Sequence, residues 1–205
     1  MMDSRFICIL LCSISFVRGK MEPFVVGGNY AHISHFPHSA FMSVHCIDEN
    51  DVPLSWICGS SIVNQALTLT AAHCLFGCSN NSTISVAVGH VHRDRGAEST
   101  VHSYLIHEDY DVALTSSDIA LVRLNTKLRF NENVKRIILM KNPPYHEKAQ
   151  IAGWGLTDEI KKTTTDLLKF VDQFVWNGND CQKLIDKTPK GTICASGKTD
   201  DYSTR

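Results

Sequence analysis

Two residues 45 positions apart carry the strongest chemical signal in this chain. One is His73, in Thr70-Ala71-Ala72-His73-Cys74; the other is Asp118, at the head of Ser117-Asp118-Ile119-Ala120-Leu121-Val122. Imidazole gains and loses a proton near neutral pH, which makes it the commonest general base. A carboxylate opening an apolar run is costly to bury unless it is paired. Brought together, the aspartate would accept a hydrogen bond from the ring, fix its tautomer and stabilise its cation. Each residue alone has a plainer explanation. A lone histidine is usually solvated or satisfied in a core, and an aspartate before a strand is usually a turn residue.

A general base must lie within hydrogen-bond reach of its partner, about 2.6–3.2 Å, so its backbone has to be held still. Cys74 follows the histidine directly, and Cys58-Gly59-Ser60-Ser61 lies upstream. A Cys58–Cys74 bridge would close a loop worth about 3 kcal/mol and stiffen the chain beside His73.

The elements around these residues read as short β-type runs. Strands are expected near residues 43–46, 60–63, 67–70, 84–89, 99–106, 119–124, 150–154, 168–175 and 192–195, separated by polar, Gly- or Asn-rich turns. One short helix is expected over residues 180–186, capped by Asn179. Many short strands with regular turns argue for an all-β sandwich or barrel. The pattern loosens over residues 125–144, where Asn131, Asn133 and Pro143-Pro144 mark a linker between two halves.

The first residues look like an address. Arg5 precedes a twelve-residue apolar run, 6–17, and then Val17-Arg18-Gly19. That layout predicts a signal peptide over residues 1–19, cut after Gly19, because a span of the bilayer needs about 20 apolar residues. Cys8 and Cys12 would leave with it. Six cysteines remain, Cys46, Cys58, Cys74, Cys78, Cys181 and Cys194, an even set that in an exported chain reads as disulfides. Asn80-Asn81-Ser82 and Asn81-Ser82-Thr83 are overlapping glycosylation sequons, making Asn80 and Asn81 candidate acceptors.

Of the 205 residues 43% are hydrophobic, enough for a sizeable core, and the formal net charge is −1. Such a balance gives no reason to expect nucleic acid or an anionic membrane as partner. No metal is expected. The cysteines form no CxxC pair. His32, His35, His38 and His45 match no predicted helix face, and Asp94 and Glu98, beside Arg93 and Arg95, are too few oxygens for calcium.

At Thr70-Ala71-Ala72-His73-Cys74 and Ser117-Asp118-Ile119-Ala120-Leu121-Val122-Arg123-Leu124 the chain resembles the histidine and aspartate boxes of trypsin/chymotrypsin-like serine proteases. Further matches fall in the same order. Phe24-Val25-Val26-Gly27-Gly28 is similar to an activation site, Cys58-Gly59-Ser60-Ser61-Ile62-Val63 to the strand before the histidine, and His107-Glu108-Asp109-Tyr110 to the segment before the aspartate. Ala152-Gly153-Trp154-Gly155 is similar to a turn of the second barrel, and Cys181 with Thr192-Ile193-Cys194-Ala195 to a bridged pair.

The resemblance implies an all-β fold of two antiparallel barrels with the site in the cleft between them. A first barrel would span about residues 25–124 and a partial second barrel residues 145–205, within a protease domain covering 25–205. His73 would be general base and Asp118 its orienting carboxylate. Residues 20–24 would be a short pro-segment, removed by an activating protease that cuts between Phe24 and Val25, where family members usually carry Arg or Lys. Cys181 and Cys194 would pair. Cys46 and Cys78 are not an obvious family pair; they flank the Cys58–Cys74 loop and are expected to form a further bridge.

The family's Gly-Asp-Ser-Gly-Gly box, due about a dozen residues after Cys194, does not occur in these 205 residues. Ser196 and Ser203 lack the Gly-rich turn that would present a hydroxyl and two backbone amides, so neither is expected to replace it. The expectation is therefore a fragment of a secreted, extracellular serine endopeptidase, a monomer without cofactors, acting on proteins or peptides and open to protein inhibitors. As it stands it would be inactive, with its second barrel incomplete. The rival expectation is a non-catalytic homologue that serves as a secreted binding module.

Overall fold

The computed structural model describes residues 28–158, 163–184 and 192–197. Strand β1 is Asn29–Tyr30. Six strands follow: β2 (Ser39–Ile47), β3 (Pro53–Ile62), β4 (Leu67–Thr70), β5 (Thr83–Val88), β6 (Ala97–Ile106) and β7 (Ala120–Leu124). They close into an antiparallel barrel in the order β2-β3-β4-β7-β6-β5. Closure gives every strand of the barrel two neighbours, although β3 meets β4 only at Ser61 and Ile62, and alternate residues fill the interior.

That alternation is visible strand by strand. Ala120, Val122 and Leu124 of β7 face inward while Leu121 and Arg123 face out. Ile84, Val86 and Val88 do the same for β5. With Ala40, Met42, Val44 and Ile62 they form one core, to which each fully buried large side chain contributes about 1.5–3 kcal/mol. Strand β2 is buried on both faces over its first four residues. Its inward face joins the barrel core. Its outward Phe41 packs edge-on against Trp154, ring centroids 5.7 Å apart, in a second core with Ile33, Phe36 and Leu168.

The second half is built on β11 (Lys169–Trp176). One edge of β11 pairs with β8 (Lys148–Gly153), and the other pairs with β1 at its start and β12 (Cys194–Ser196) at its end. Strands β9 (Leu156–Asp158) and β10 (Thr163–Thr164) form a separate ribbon. Helix α1 (Gly178–Leu184) is tied to β12 by the Cys181–Cys194 disulfide. Between β7 and β8 the chain is irregular apart from a bridge between Asn131 and Val134. The halves are stitched through Val91 and Arg93. The Val91 carbonyl accepts from Trp154 Nε1 at 2.7 Å and Leu168 N–H at 2.8 Å, and the Arg93 guanidinium meets the Asp166 carboxylate at 2.8 Å.

The all-β reading and the trypsin-like architecture hold. Several boundaries differ. Strand β3 begins at Pro53 rather than near residue 60, because residues 48–52 form a hairpin turn. There Asp51 adopts φ 60° and the Asp48 carboxylate accepts from Asn50 N–H at 2.8 Å and Val52 N–H at 2.9 Å. Strands β1, β9 and β10 are too short for a periodic signal. Helix α1 starts two residues earlier than expected. Its cap is Asn177, not Asn179, since the Asn177 Oδ1 accepts from Asp180 N–H at 2.9 Å.

Candidate active site

Strand register brings the histidine and the aspartate together. Strands β4 and β7 are antiparallel neighbours with Thr70 opposite Ala120. Three residues beyond Thr70 is His73, and two residues before Ala120 is Asp118, so both emerge at the same end of the barrel. Their contact is double: Asp118 Oδ1 accepts from the His73 backbone N–H at 2.8 Å, and Oδ2 lies 2.7 Å from Nδ1. A carboxylate accepts only, so the ring proton sits on Nδ1 and the Nε2 lone pair is free to take a proton. The side chain of His73 is 44% exposed and that of Asp118 19%, which leaves the far edge of the ring open while sheltering the carboxylate.

The histidine is carried on a single 3₁₀ turn, Ala72–Cys74, entered from extended Ala71. Ala72, Cys74 and Leu75 are buried around it, so the imidazole is the member of the turn that projects outward. Cys74 is bridged to Cys58 on β3, and its carbonyl accepts from Trp56 Nε1 at 3.1 Å. Four residues on, Cys78 is bridged to Cys46 on β2, and its carbonyl accepts from the Tyr104 hydroxyl at 2.9 Å. Burial pushes the Tyr104 phenol up. The turn closes through Gly77 at φ 82°, a conformation that glycine adopts without steric cost.

Asp118 closes a loop over residues 111–118. The loop holds two non-glycine residues at positive φ, Thr115 and Ser117, both at 52°. Left-handed backbone costs about 1–2 kcal/mol per L-residue, and a β-branched residue there is an outlier. Tyr110 stands beside the carboxylate. Burial first, and then the charges of Asp118 and Asp111, push its phenol up. Its ring meets Phe76 edge-on, centroids 5.4 Å apart, so aromatic surface from both loops flanks the pair.

The other candidates fall as follows. Asn80 and Asn81 are exposed in the turn between Cys78 and β5. Ser196 lies in β12, where its hydroxyl accepts from Trp176 Nε1 at 3.0 Å. Phe24, Val25 and Ser203, with the signal and pro-segment, lie outside the described residues. The rings of His32 and His35 lie 5.9 Å apart, tilted by 49°, while His45 Nδ1 meets the Ser55 hydroxyl at 2.9 Å. Among the described residues, Cys58, His73 and Cys74 place a metal-type set of atoms together. Its two sulfurs are already joined to each other, so they offer no thiolate to a metal. The sulfur of Cys74, 3.6 Å from His73 Nε2, is for the same reason no nucleophile. No helix among the described residues is long and apolar enough to cross a membrane.

Sequence reasoning found the pair and missed its surroundings. Trp56 and Tyr104 donate to the backbone carbonyls of Cys74 and Cys78, and Asp111 accepts from two N–H groups of the loop before Asp118; no spacing rule marks such contacts.

The trypsin family model matches residues 25–204, and the chain belongs to that family. Hypodermin-B of Hypoderma lineatum is 34% identical over 185 residues, covering 85% of this chain and 69% of that protein. Chymotrypsin of Phaedon cochleariae is 29% identical over 157 residues, covering 71% of this chain and 55% of the relative. Trypsin-1 of Astacus astacus is 32% identical, with 71% and 62% covered. The chain thus spans between 55% and 69% of the length of these relatives. In fold it is similar to the crystal structure of the scabies mite inactivated protease paralogue S-D1, with a TM-score of 0.74 at 20% identity, 85% of this chain and 75% of that one covered.

Proposed function

We propose that this chain is the larger part of a secreted serine endopeptidase, with His73 as general base and Asp118 as the carboxylate that orients it. The observation that carries the reading is the double hydrogen bond from Asp118 to the backbone and ring of His73. It leaves Nε2 as the acceptor that would draw a proton from a nucleophile and return it to the leaving amine. The pair supplies two of the three groups such catalysis needs, and the residue in the serine's position decides between the endopeptidase and the binding module.

The nucleophilic serine and its oxyanion-hole amides belong to the part of the family's length that these 205 residues do not span; the relatives' coverage of 55–69% supports this. Losing a nucleophilic serine costs about 10⁶ in turnover, so residues 25–205 by themselves would hydrolyse nothing measurable. The three disulfides support an oxidising, extracellular destination, with residues 1–19 as the signal. Activation would cut between Phe24 and Val25, freeing the Val25 amine of a zymogen. Asn80 and Asn81 would be the glycan acceptors, and the protein would act as a monomer on protein or peptide substrates and answer to protein inhibitors.

The test is the complete message. A Gly-Asp-Ser-Gly-Gly box after Cys194, in a protein that a fluorophosphonate labels at that serine, would support the endopeptidase. Another residue in the serine's place would overturn it and leave the binding module.

A further inference from the structure

We propose that Asp111 is a positioning residue for Asp118, holding shut the strained loop from which that carboxylate reaches His73; the inference rests on the catalytic reading of the pair. Asp111 Oδ1 accepts from Ala113 N–H at 2.8 Å and Leu114 N–H at 3.0 Å, while its own N–H donates to the Ser116 carbonyl at 3.1 Å. These bonds span the loop from its first residue almost to Asp118.

Packing does not hold the loop. Val112 is 48% exposed and Leu114 66%, so its apolar side chains are not anchored in a core. Its backbone is strained as well, since Thr115 and Ser117 both sit at φ 52°. Strained conformations persist where the surroundings over-determine them. Here the Asp111 carboxylate fixes the Ala113 and Leu114 amides at the head of the strained segment, alongside the Asp111–Ser116 backbone bond and the His107 N–H that donates to the Ile119 carbonyl at 3.0 Å. The strain leads directly to Asp118. Ile119 N–H donates to the Ser117 carbonyl at 2.8 Å, wrapping the chain tightly around the aspartate, so the backbone at 115–117 sets where its carboxylate points. If the loop opened, Asp118 would lose the geometry that lets its two oxygens meet two groups of His73 at once.

The test is proton NMR of the protein expressed from its full message with ¹⁵N-labelled histidine, following the His73 Nδ1 proton, assigned by its loss in H73A. Wild type should show this proton at low field and protected from solvent, and Asp118→Asn should abolish it. Asp111→Ala should speed its exchange with solvent at least about tenfold, the scale expected on losing hydrogen bonds to a charged group. Asp111→Asn should restore protection, because an amide oxygen can accept the same two N–H groups. Adding Thr115→Gly to Asp111→Ala should recover part of the protection, since glycine holds positive φ without strain, and this double variant serves if the single one folds poorly. Wild-type exchange in Asp111→Ala would overturn the inference while leaving the His73–Asp118 pair intact. Absence of the protected proton in wild type itself would overturn the pair, and the inference with it.

Discussion

Asp118 holds His73 by two atoms at once, one carboxylate oxygen on the backbone N–H at 2.8 Å and the other on ring Nδ1 at 2.7 Å. A single contact would let the ring swing; two contacts to groups on the same residue fix both its place and its tautomer.

On the proposed reading, Asp118→Asn should therefore abolish peptide hydrolysis by the complete protein without unfolding it. The amide is nearly the same size but donates where the carboxylate accepted, so the ring proton moves to Nε2 and the base is lost. Turnover of a fluorogenic peptide should fall by about 10⁴ with little change in KM, as expected when only the tautomer is wrong.

Removing the Cys46–Cys78 bridge as C46A/C78A should destabilise the protein. The bridge spans 32 residues, worth about 4 kcal/mol in the chain-entropy picture. For a domain of this size that is a fall in Tm of about 10 °C. Calorimetry under oxidising conditions checks it, and an unchanged Tm would show that the pair contributes nothing.

Thr68→Val should stabilise. Thr68 is fully buried in β4, and its hydroxyl oxygen has no hydrogen-bond partner among the described residues. Exchanging it for a methyl group of the same shape removes an unpaid desolvation cost of about 1 kcal/mol. Urea unfolding should show a higher midpoint at unchanged slope; a lower midpoint would mean that the hydroxyl is satisfied.

Stability should fall in mild acid through His38. Burial lowers its pKa below the ordinary imidazole value, so the unfolded chain binds the proton more readily than the folded one. The contribution is fully present above about pH 6.5 and is lost as pH falls toward the lowered folded value. Unfolding free energies measured at about pH 7.5 and pH 5 should differ more in wild type than in His38→Gln; equal differences would remove His38 from the explanation.

What the sequence made legible was local and chemical. His73 and Asp118 sit in short segments whose residue types are readable without any fold, and the alternation of Ala120, Val122 and Leu124 marks its strand by itself. What stayed hidden depends on register and on backbone partners. The pairing of Thr70 with Ala120 brings the two segments to one end of the barrel, yet pairing leaves no trace in either segment alone. The hairpin before Pro53 was masked because Asp51 takes a left-handed turn that a glycine would have announced. Asn177 lost the helix cap to Asn179 in the sequence reading because two asparagines flank Gly178 and composition cannot rank them.

The most direct measurement is turnover of a fluorogenic peptide by the complete, activated protein and by its His73→Ala variant. A phosphonate-sensitive activity that falls by about 10⁶ in the variant is the predicted result, the scale seen when a catalytic histidine is removed from a serine protease. Hydrolysis that survives the substitution undiminished, or a folded complete protein that neither hydrolyses peptides nor reacts with a phosphonate, would contradict it.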